Sequence, residues 1–294
     1  MPKKYLGLLS KIITMKKILF IIGTFMSLVA GAQVKMPAAS PTQTLIQDFG
    51  LGKIEIVYSR PSLKGRAVFG KGTLLAPYGQ VWRTGANGAT KITFSDAVTI
   101  GGKVLPAGPY GLFTIPGENE WTIIFNTNSK GWGSFDYKEA EDVVRLTVKP
   151  EMTSNTTETF SIGVGNITPE TATIGLKWGK VLVNIPVSTD IKSTIRKQVE
   201  ATLAATTVNS NAYSAAANFY FDMDKDYAKA LANVNKAIET NAKAYWLFLL
   251  KGKAQKALGD KAGAKESANT CIKLATDAKN DDYIRSANEV LAGL

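Results

Sequence analysis

The sequence predicts a multidomain β plus α protein, in which an antiparallel β-sandwich is followed by an all-α helical domain. Three observations support this prediction. Apolar residues recur with a period of two between residues 41 and 187, which is typical of half-buried strands. Turn sequences rich in Gly, Pro and Asn separate these short segments. After Pro186, Gly and Pro become rare while Ala and Lys dominate, which favours helices over residues 188–294.

The first 32 residues are predicted to be a secretory signal peptide. Five lysines accompany an apolar run from Ile18 to Ala30, and the small residues Ala30-Gly31-Ala32 favour cleavage near Ala32. A run of about 13 residues is shorter than the roughly 20 that a membrane-spanning helix needs. We therefore expect an exported chain, periplasmic or extracellular, that meets the membrane only through this peptide before its cleavage. Residues 33–40 would form a linker.

Composition excludes several functional classes. The chain of 294 residues contains no His and a single Cys, Cys271, so it lacks the residues for a His-dependent triad, a His-ligated metal or an internal disulfide. We expect no metal site and no cofactor. All five lysines of residues 1–32 would leave with the signal peptide, which lowers the formal net charge from +11 to +6. This modest charge does not indicate nucleic acid binding.

The β half is predicted from alternating apolar residues and from turns. Ile54, Ile56 and Tyr58 set the pattern, and Ile124 suggests a strand buried on both faces. Further strands are expected near residues 121–125, 160–164, 172–178 and 181–185. Trp121 and Trp178 fall in these alternating series and are expected in the core. A tight hairpin is predicted at 100–104, and turns are predicted at 116–119 and at Gly179-Lys180.

The α half is predicted to contain about six helices. Short polar side chains that can accept hydrogen bonds from free backbone N–H groups mark their starts. The candidate caps are Asp190, Asn209 or Ser210, Asp224, Thr240 or Asn241, Asp260 and Asn280.

An internal repeat is visible in this half. The segment Asp226–Ala230 recurs as Asp260–Ala264, and the alanines Ala230 and Ala264 lie 34 residues apart. This period resembles the tetratricopeptide repeat, in which small residues let two helices approach closely. Ser214 and Lys251 depart from the usual repeat pattern, so a generic bundle of helical hairpins is the alternative.

The β half resembles a known family. Residues from about 39 to 187 resemble the bacterial secreted domain-of-unknown-function family numbered 2911. The resemblance is carried by YSRP at 58–61, GRAVFG at 65–70, PYGQVWRTGAN at 77–87, LPAGPYGLF at 105–113 and EWTIIFN at 120–126. It implies a secreted protein of the Bacteroidetes type, in which helical repeats can follow the domain. It implies no activity and no catalytic residues.

One cluster of polar and aromatic residues in the β half could line a ligand pocket. Arginine can grip carboxylates or phosphates, and indole rings can stack on a ligand. The candidate ligand-binding residues are Arg60, Arg66, Trp82, Arg83, Thr84, Asn87, Asn126, Trp132 and Tyr137. In the alternative interpretation Trp82 belongs to the core and the arginines pair with acids such as Glu55 or Asp136. Trp132, between two glycines, could face outward or inward.

Three functional hypotheses follow. The first is an exported non-enzymatic binding or scaffold protein, whose helical domain contacts an envelope protein or peptide. The candidate contact residues are Tyr220, Tyr227, Tyr245 and Trp246, and packing between helices is their alternative role. The second is binding of a glycan or small ligand by the β domain, with Arg83, Asn87 and Trp132 in the pocket. The third is a hydrolase that uses a carboxylate pair from among Glu118, Glu120, Asp136 and Glu139. The oligomeric state is left open.

Overall fold

The computed structural model describes residues 36–294 and confirms a β region followed by helices. The predicted signal peptide at residues 1–32 and the beginning of the linker lie outside the described residues. The strands are Thr42–Phe49 (β1), Gly52–Ser59 (β2), Phe69–Gly70 (β3), Ala76–Pro77 (β4), Ala86–Phe94 (β5), Val98–Ile100 (β6), Lys103–Leu105 (β7), Gly108–Ile115 (β8), Trp121–Asn126 (β9), Asp142–Val148 (β10), Glu151–Gly165 (β11) and Thr171–Ser188 (β12).

Two antiparallel sheets share one apolar core. One sheet has the order β1-β2-β5-β8-β9-β10, and the other has the order β11-β12-β6-β7. The short strands β3 and β4 pair in parallel and are the exception to the antiparallel prediction. The predicted hairpin at 100–104 is confirmed, because Ile100 pairs with Lys103 across Gly101 and Gly102, which both have positive φ.

Aromatic side chains fill the centre of the core. The rings of Trp82 and Trp178 stack with centroids 5.7 Å apart, and the ring of Trp121 lies edge-on to Trp82. The predicted burial of Trp121 and Trp178 is confirmed, and Ile124 is also fully buried. The Tyr58 hydroxyl accepts a hydrogen bond from the Ile162 N–H at 2.8 Å, which ties the two sheets together. Aromatic packing and this cross-sheet bond stabilise the β region.

The predicted turn at Gly179-Lys180 is wrong, because β12 runs through both residues as one strand. Gly179 has a φ of +59°, and the pairing of β12 with β11 shifts register at this point. Buried residues are even-numbered up to Trp178 and odd-numbered from Val183 onward. From Met152 to Ser161, β11 advances by nine residues while the paired part of β12 advances by four, so the extra residues of this β-bulge lie in β11. In β12 the left-handed Gly179 interrupts the alternation, which explains why the other set of side chains faces the core beyond it.

The helices follow after β12. They are Lys192–Leu203 (α1), Ser210–Asn218 (α2), Tyr227–Thr240 (α3), Tyr245–Ala257 (α4), Lys261–Asp277 (α5) and Asp281–Ala292 (α6), with a π-helical turn at Phe219–Asp224. No helix in residues 36–294 is long and apolar enough to cross a membrane.

The predicted helix caps are confirmed at three helices and corrected at two. The side chains of Asn209, Asp260 and Asn280 accept hydrogen bonds from N–H groups in the first turns of α2, α5 and α6. Helix α3 is capped by Asp226 and not by Asp224, because the π-helical turn carries the chain past Asp224 before α3 begins. Helix α4 begins after Ala244 without a side-chain cap, so neither Thr240 nor Asn241 serves there.

Neighbouring helices pack as antiparallel hairpins. Helix α2 packs on α3, and α4 packs on α5, which also contacts α6. The repeated alanines Ala230 and Ala264 are both fully buried. A Cβ atom placed on Gly252 would lie 3.3 Å from the Ala264 carbonyl oxygen, so only a very small residue allows α4 and α5 to approach this closely. Helix α4 also contacts both α2 and α6.

Candidate functional site

Three of the candidate ligand-binding residues are buried and use their polar atoms internally. The Trp82 indole N–H donates to the Gly85 carbonyl at 3.1 Å, and the ring belongs to the aromatic core. The Thr84 hydroxyl donates to Thr114 at 3.2 Å. The Asn126 side chain is fully buried and donates to Asp142 at 2.7 Å. These residues shape the interior and do not present polar groups to a ligand.

Two non-glycine residues of the same motif have left-handed backbone conformations. Thr84 has a φ of +53° and Asn87 has a φ of +59°. A positive φ is unusual for a β-branched residue such as Thr and carries strain. The Thr84 carbonyl oxygen accepts a bond from Thr90 Oγ1 at 2.5 Å, and Asn87 Nδ2 donates to Ser59 Oγ at 3.2 Å. These bonds hold the strained turn in place.

The strained turn positions Asn87 against the loop between β9 and β10. The Asn87 carbonyl oxygen accepts bonds from the Gly133 N–H and from Arg83 Nη1, each at 3.0 Å. Gly88 forms a β-bridge with Trp132. The structure therefore brings together Arg83, Asn87 and Trp132, the three residues of the second hypothesis.

Two aromatic side chains of this loop face outward. The exposed fraction is 64% for Trp132 and 85% for Phe135. Sequence reasoning left open which way Trp132 points and missed Phe135. A signal was present, because Phe135 stands in the segment Gly-Ser-Phe-Asp and neither strand nor helix periodicity accounts for it. A Cβ atom on Gly133 would lie 2.9 Å from Phe135 Cδ2 and 3.2 Å from Arg83 Nη1, so ring and guanidinium both lie over Gly133. We call Arg83, Asn87, Trp132 and Phe135 the aromatic platform.

A partly buried polar network anchors the far end of this loop. The Tyr137 hydroxyl donates to Asp142 at 2.7 Å and accepts from Arg145 at 2.9 Å. Desolvation and the hydrogen bond to Asp142 raise the pKa of Tyr137 to about 12. Asn126 Nδ2 donates to the Lys138 carbonyl oxygen at 3.0 Å and joins the loop to the same network. Tyr137 therefore supports the loop from inside and lies apart from the exposed rings.

Arg60 and Arg66 bind backbone carbonyl groups. Arg60 Nε donates to the Phe160 carbonyl at 2.9 Å, and Arg66 donates to the carbonyls of Ser62 and Leu63. Within residues 36–294, neither arginine forms an ion pair, so the expected pairing with Glu55 or Asp136 is wrong. Both arginines therefore stabilise loops through hydrogen bonds to backbone carbonyl groups.

The helical region contains a groove of about 260 Å³. Helices α4 and α6, the end of α2 and the π-helical turn contribute its walls. The lining residues are Asn218, Phe221, Asp222, Trp246, Leu247, Leu249, Leu250, Lys253 and Tyr283. Asp222 and Lys253 form no ion pair with any other described residue. The groove thus places the half-exposed Trp246 and three nearly buried leucines beside one free acid and one free base.

Only one of the four candidate partner-binding residues lines this groove. The exposed fraction of Trp246 is 43%, whereas Tyr220 is buried against Phe219. Tyr227 packs against Phe221. Tyr245 packs edge-on against Trp246 and Tyr283 and accepts a bond from Asn280 Nδ2 at 3.1 Å. Tyr220, Tyr227 and Tyr245 therefore support the groove walls. Sequence reasoning missed Asp222, Lys253 and Tyr283 as lining residues, because only the turn–helix–helix arrangement brings them together.

The carboxylates considered for hydrolysis all have exposed side chains. They are Glu118, Glu120, Asp136 and Glu139. Within residues 36–294, no three His, Cys, Asp or Glu side chains lie close enough to hold a metal ion.

Comparisons with known proteins place the β region in a family. A family model described as a protein of unknown function (DUF2911) matches residues 40–187, which span β1 to β12 almost completely. The match includes the strained turn and the aromatic platform and excludes the six helices. A search of the curated proteins finds no match. Since the matched region covers half of the sequence, the chain belongs to the DUF2911 family.

Proposed function

We propose that the chain is an exported, non-enzymatic binding protein whose helical region binds a short peptide segment of an envelope protein. In this proposal the helices form tetratricopeptide-like repeats, with α2/α3 and α4/α5 as two units and α6 as a closing helix. The spacing of 34 residues between Ala230 and Ala264 and the close approach at Gly252 support this assignment. In such an arrangement the first helix of each unit lines a concave face.

The observation that carries the proposal is the chemistry of the groove. Trp246 and Leu250 lie on one face of α4, where they offer an apolar contact beside the unpaired groups of Asp222 and Lys253. A volume of about 260 Å³ lies below the roughly 300–1,000 Å³ of sites that enclose small molecules. It suits one or two apolar side chains of a peptide that crosses the groove. Charge complementarity then favours a basic group near Asp222 and an acidic group near Lys253.

Selection from a phage-displayed library of random short peptides, with the purified chain as target, tests this proposal. We expect selected peptides to carry an apolar residue between a basic and an acidic one. Trp246→Ala should weaken their binding about 30-fold, because exposed tryptophans at such contacts are typical hot spots. Lys253→Glu should lower the affinity for peptides that carry the acidic residue and should leave the Tm of the protein unchanged.

Trp132→Ala is the matched control, since Trp132 is the exposed tryptophan of the β region. It should leave peptide affinity unchanged. The proposal is wrong if no peptide is enriched, or if enriched peptides bind the Trp246→Ala and Lys253→Glu variants as tightly as the native chain.

A further inference from the structure

We propose that the aromatic platform of Arg83, Asn87, Trp132 and Phe135 binds the face of a pyranose sugar ring. This site lies in the β region and does not depend on the peptide-binding groove. The exposed rings of Trp132 and Phe135 offer faces for stacking. The polar contacts come from the guanidinium of Arg83 and from Oδ1 of Asn87, whose Nδ2 donates to Ser59 Oγ and to the Ser40 carbonyl oxygen.

The exposure of the two rings needs an explanation. Large apolar side chains of one loop seldom both remain in water, because their burial is favourable. Taking about 150–250 Å² for each aromatic side chain, the exposed fractions of 64% and 85% amount to about 300 Å². A stable protein interface needs about 800 Å² from each partner. The platform therefore matches one or two sugar rings better than a protein surface.

The polar groups beside the rings suit a sugar. A pyranose presents C–H groups on its faces and hydroxyl groups at its edge, so it needs a ring for stacking with donors next to it. The Arg83 guanidinium carries five N–H groups, and Nη1 donates to Asn87. Its remaining N–H groups make no hydrogen bond to residues 36–294, which leaves donors for a hydroxyl group or a carboxylate.

The platform is held in its geometry before any ligand arrives. The Gly133 N–H bonds to Asn87 and the Ala89 N–H bonds to the Gly131 carbonyl, so backbone bonds fix the loop on both sides of Trp132. The network around Asp142 fixes its far end. A ligand that binds here orders few groups, which keeps the entropic cost of binding low. Loop anchoring of this kind is expected at a binding site.

Two probes test the proposal: a neutral oligosaccharide, cellohexaose, and an acidic one, oligogalacturonate. Binding is measured by isothermal titration and by protection of Trp132 fluorescence from iodide quenching. We expect at least one probe to bind. Preference for the acidic probe would show that Arg83 meets a carboxylate, and equal binding would show that it meets hydroxyl groups.

Variants separate stacking from other contributions. Trp132→Leu keeps an apolar side chain without a ring and should weaken binding about tenfold, whereas Trp132→Phe should keep most of the affinity. Arg83→Lys should lower the affinity for the acidic oligosaccharide more than that for the neutral one. The reason is that the point charge of an ammonium group replaces a planar guanidinium that can form two parallel hydrogen bonds to a carboxylate. Trp246→Ala in the helical groove is the matched control and should leave the affinity for both oligosaccharides unchanged.

Three results would overturn the proposal: neither oligosaccharide binds, Trp132→Leu binds as well as the native chain, or the platform is buried between two copies of the chain. The last is checked by light scattering, where Trp132→Ala would convert a dimer to a monomer. Thermal unfolding of each variant verifies that it is folded. Because Trp132 and Trp246 are tested in the same series, loss of sugar binding and loss of peptide binding are distinguishable.

Discussion

Substitutions at two glycines of β12 should change stability in opposite directions. Gly179 has a left-handed φ of +59°, and a Cβ atom there would meet no atom within 4 Å. Alanine at this position therefore suffers only the conformational cost, about 1–2 kcal/mol. Alanine also lowers the conformational entropy of the unfolded chain, which offsets this cost by about 0.4–1 kcal/mol. We expect Gly179→Ala to lower the free energy of unfolding by about 1 kcal/mol.

Gly175 is the matched control in the same strand. Its φ lies outside the left-handed region, and a Cβ atom would lie 3.6 Å from both Asn184 Oδ1 and Leu182 Cδ1, which is ordinary contact. Only the effect on the unfolded chain remains, so Gly175→Ala should raise the free energy of unfolding by about 0.5–1 kcal/mol. Gly179→Asn should lower the free energy of unfolding less than Gly179→Ala does, because Asn adopts left-handed conformations more readily.

Urea unfolding followed by tryptophan fluorescence measures these changes. Trp82, Trp121 and Trp178 are buried in the β region and report its unfolding. The Tm should fall by about 2–4 °C for Gly179→Ala. Equal effects of the two alanine substitutions, or a Gly179→Ala variant as stable as the native chain, would refute the role assigned to the left-handed conformation at the bulge.

Two further predictions concern polar contacts. Since the pKa of Tyr137 is raised from 10.0 to about 12, the stability that its protonated form contributes is complete below pH 10 and is lost as the pH rises through 12. Alkaline titration at the phenolate absorbance should show one transition near pH 12 that Tyr137→Phe removes; a phenolate midpoint near pH 10 for this residue would contradict the raised pKa. Arg196→Ala should leave the Asp224 carboxylate, which is 4% exposed, with Lys192 alone, and should speed hydrogen exchange in α1 by at most about fivefold, since Arg196 is 40% exposed. The control Arg285→Ala breaks an exposed pair with Asp282 and should not affect α1, and equal effects of both would argue against a role for Asp224.

Most of the fold could be predicted because short-range patterns dominate it. Alternation at Ile54, Ile56 and Tyr58 gave the correct buried face, and polar residues such as Asn209 and Asp260 marked helix starts. The bulge at Gly179 could not be distinguished from a turn, because Gly-Lys fits both. The distinction depends on whether β11 continues alongside, which is a long-range contact.

The candidate sites were predictable only in part. The composition of the motif around Arg83 and Asn87 made it a candidate site, but the sequence did not predict which of its residues are buried. Thr84 is in the interior because the backbone of Trp82 pairs with that of Thr114 in β8. This pairing is a long-range contact, and no local sequence pattern predicts it. Conversely, Lys253 looks ordinary in the sequence. It gains importance only because the π-helical turn, which is distant in sequence, places Asp222 in the same groove.

Helix α1 connects the two regions, and its attachment has a mechanical consequence. None of its residues is fully buried. Arg196 and Lys192 attach it to Asp224 in the π-helical turn, and the partly buried Ile195, Val199 and Leu203 pack against the helical core. Such an element is expected to open locally before the rest of the fold. As a helix, its 12 residues span about 18 Å, whereas the extended chain can reach about 40 Å. Detachment of α1 would therefore turn a short rigid spacer into a tether of roughly twice the reach.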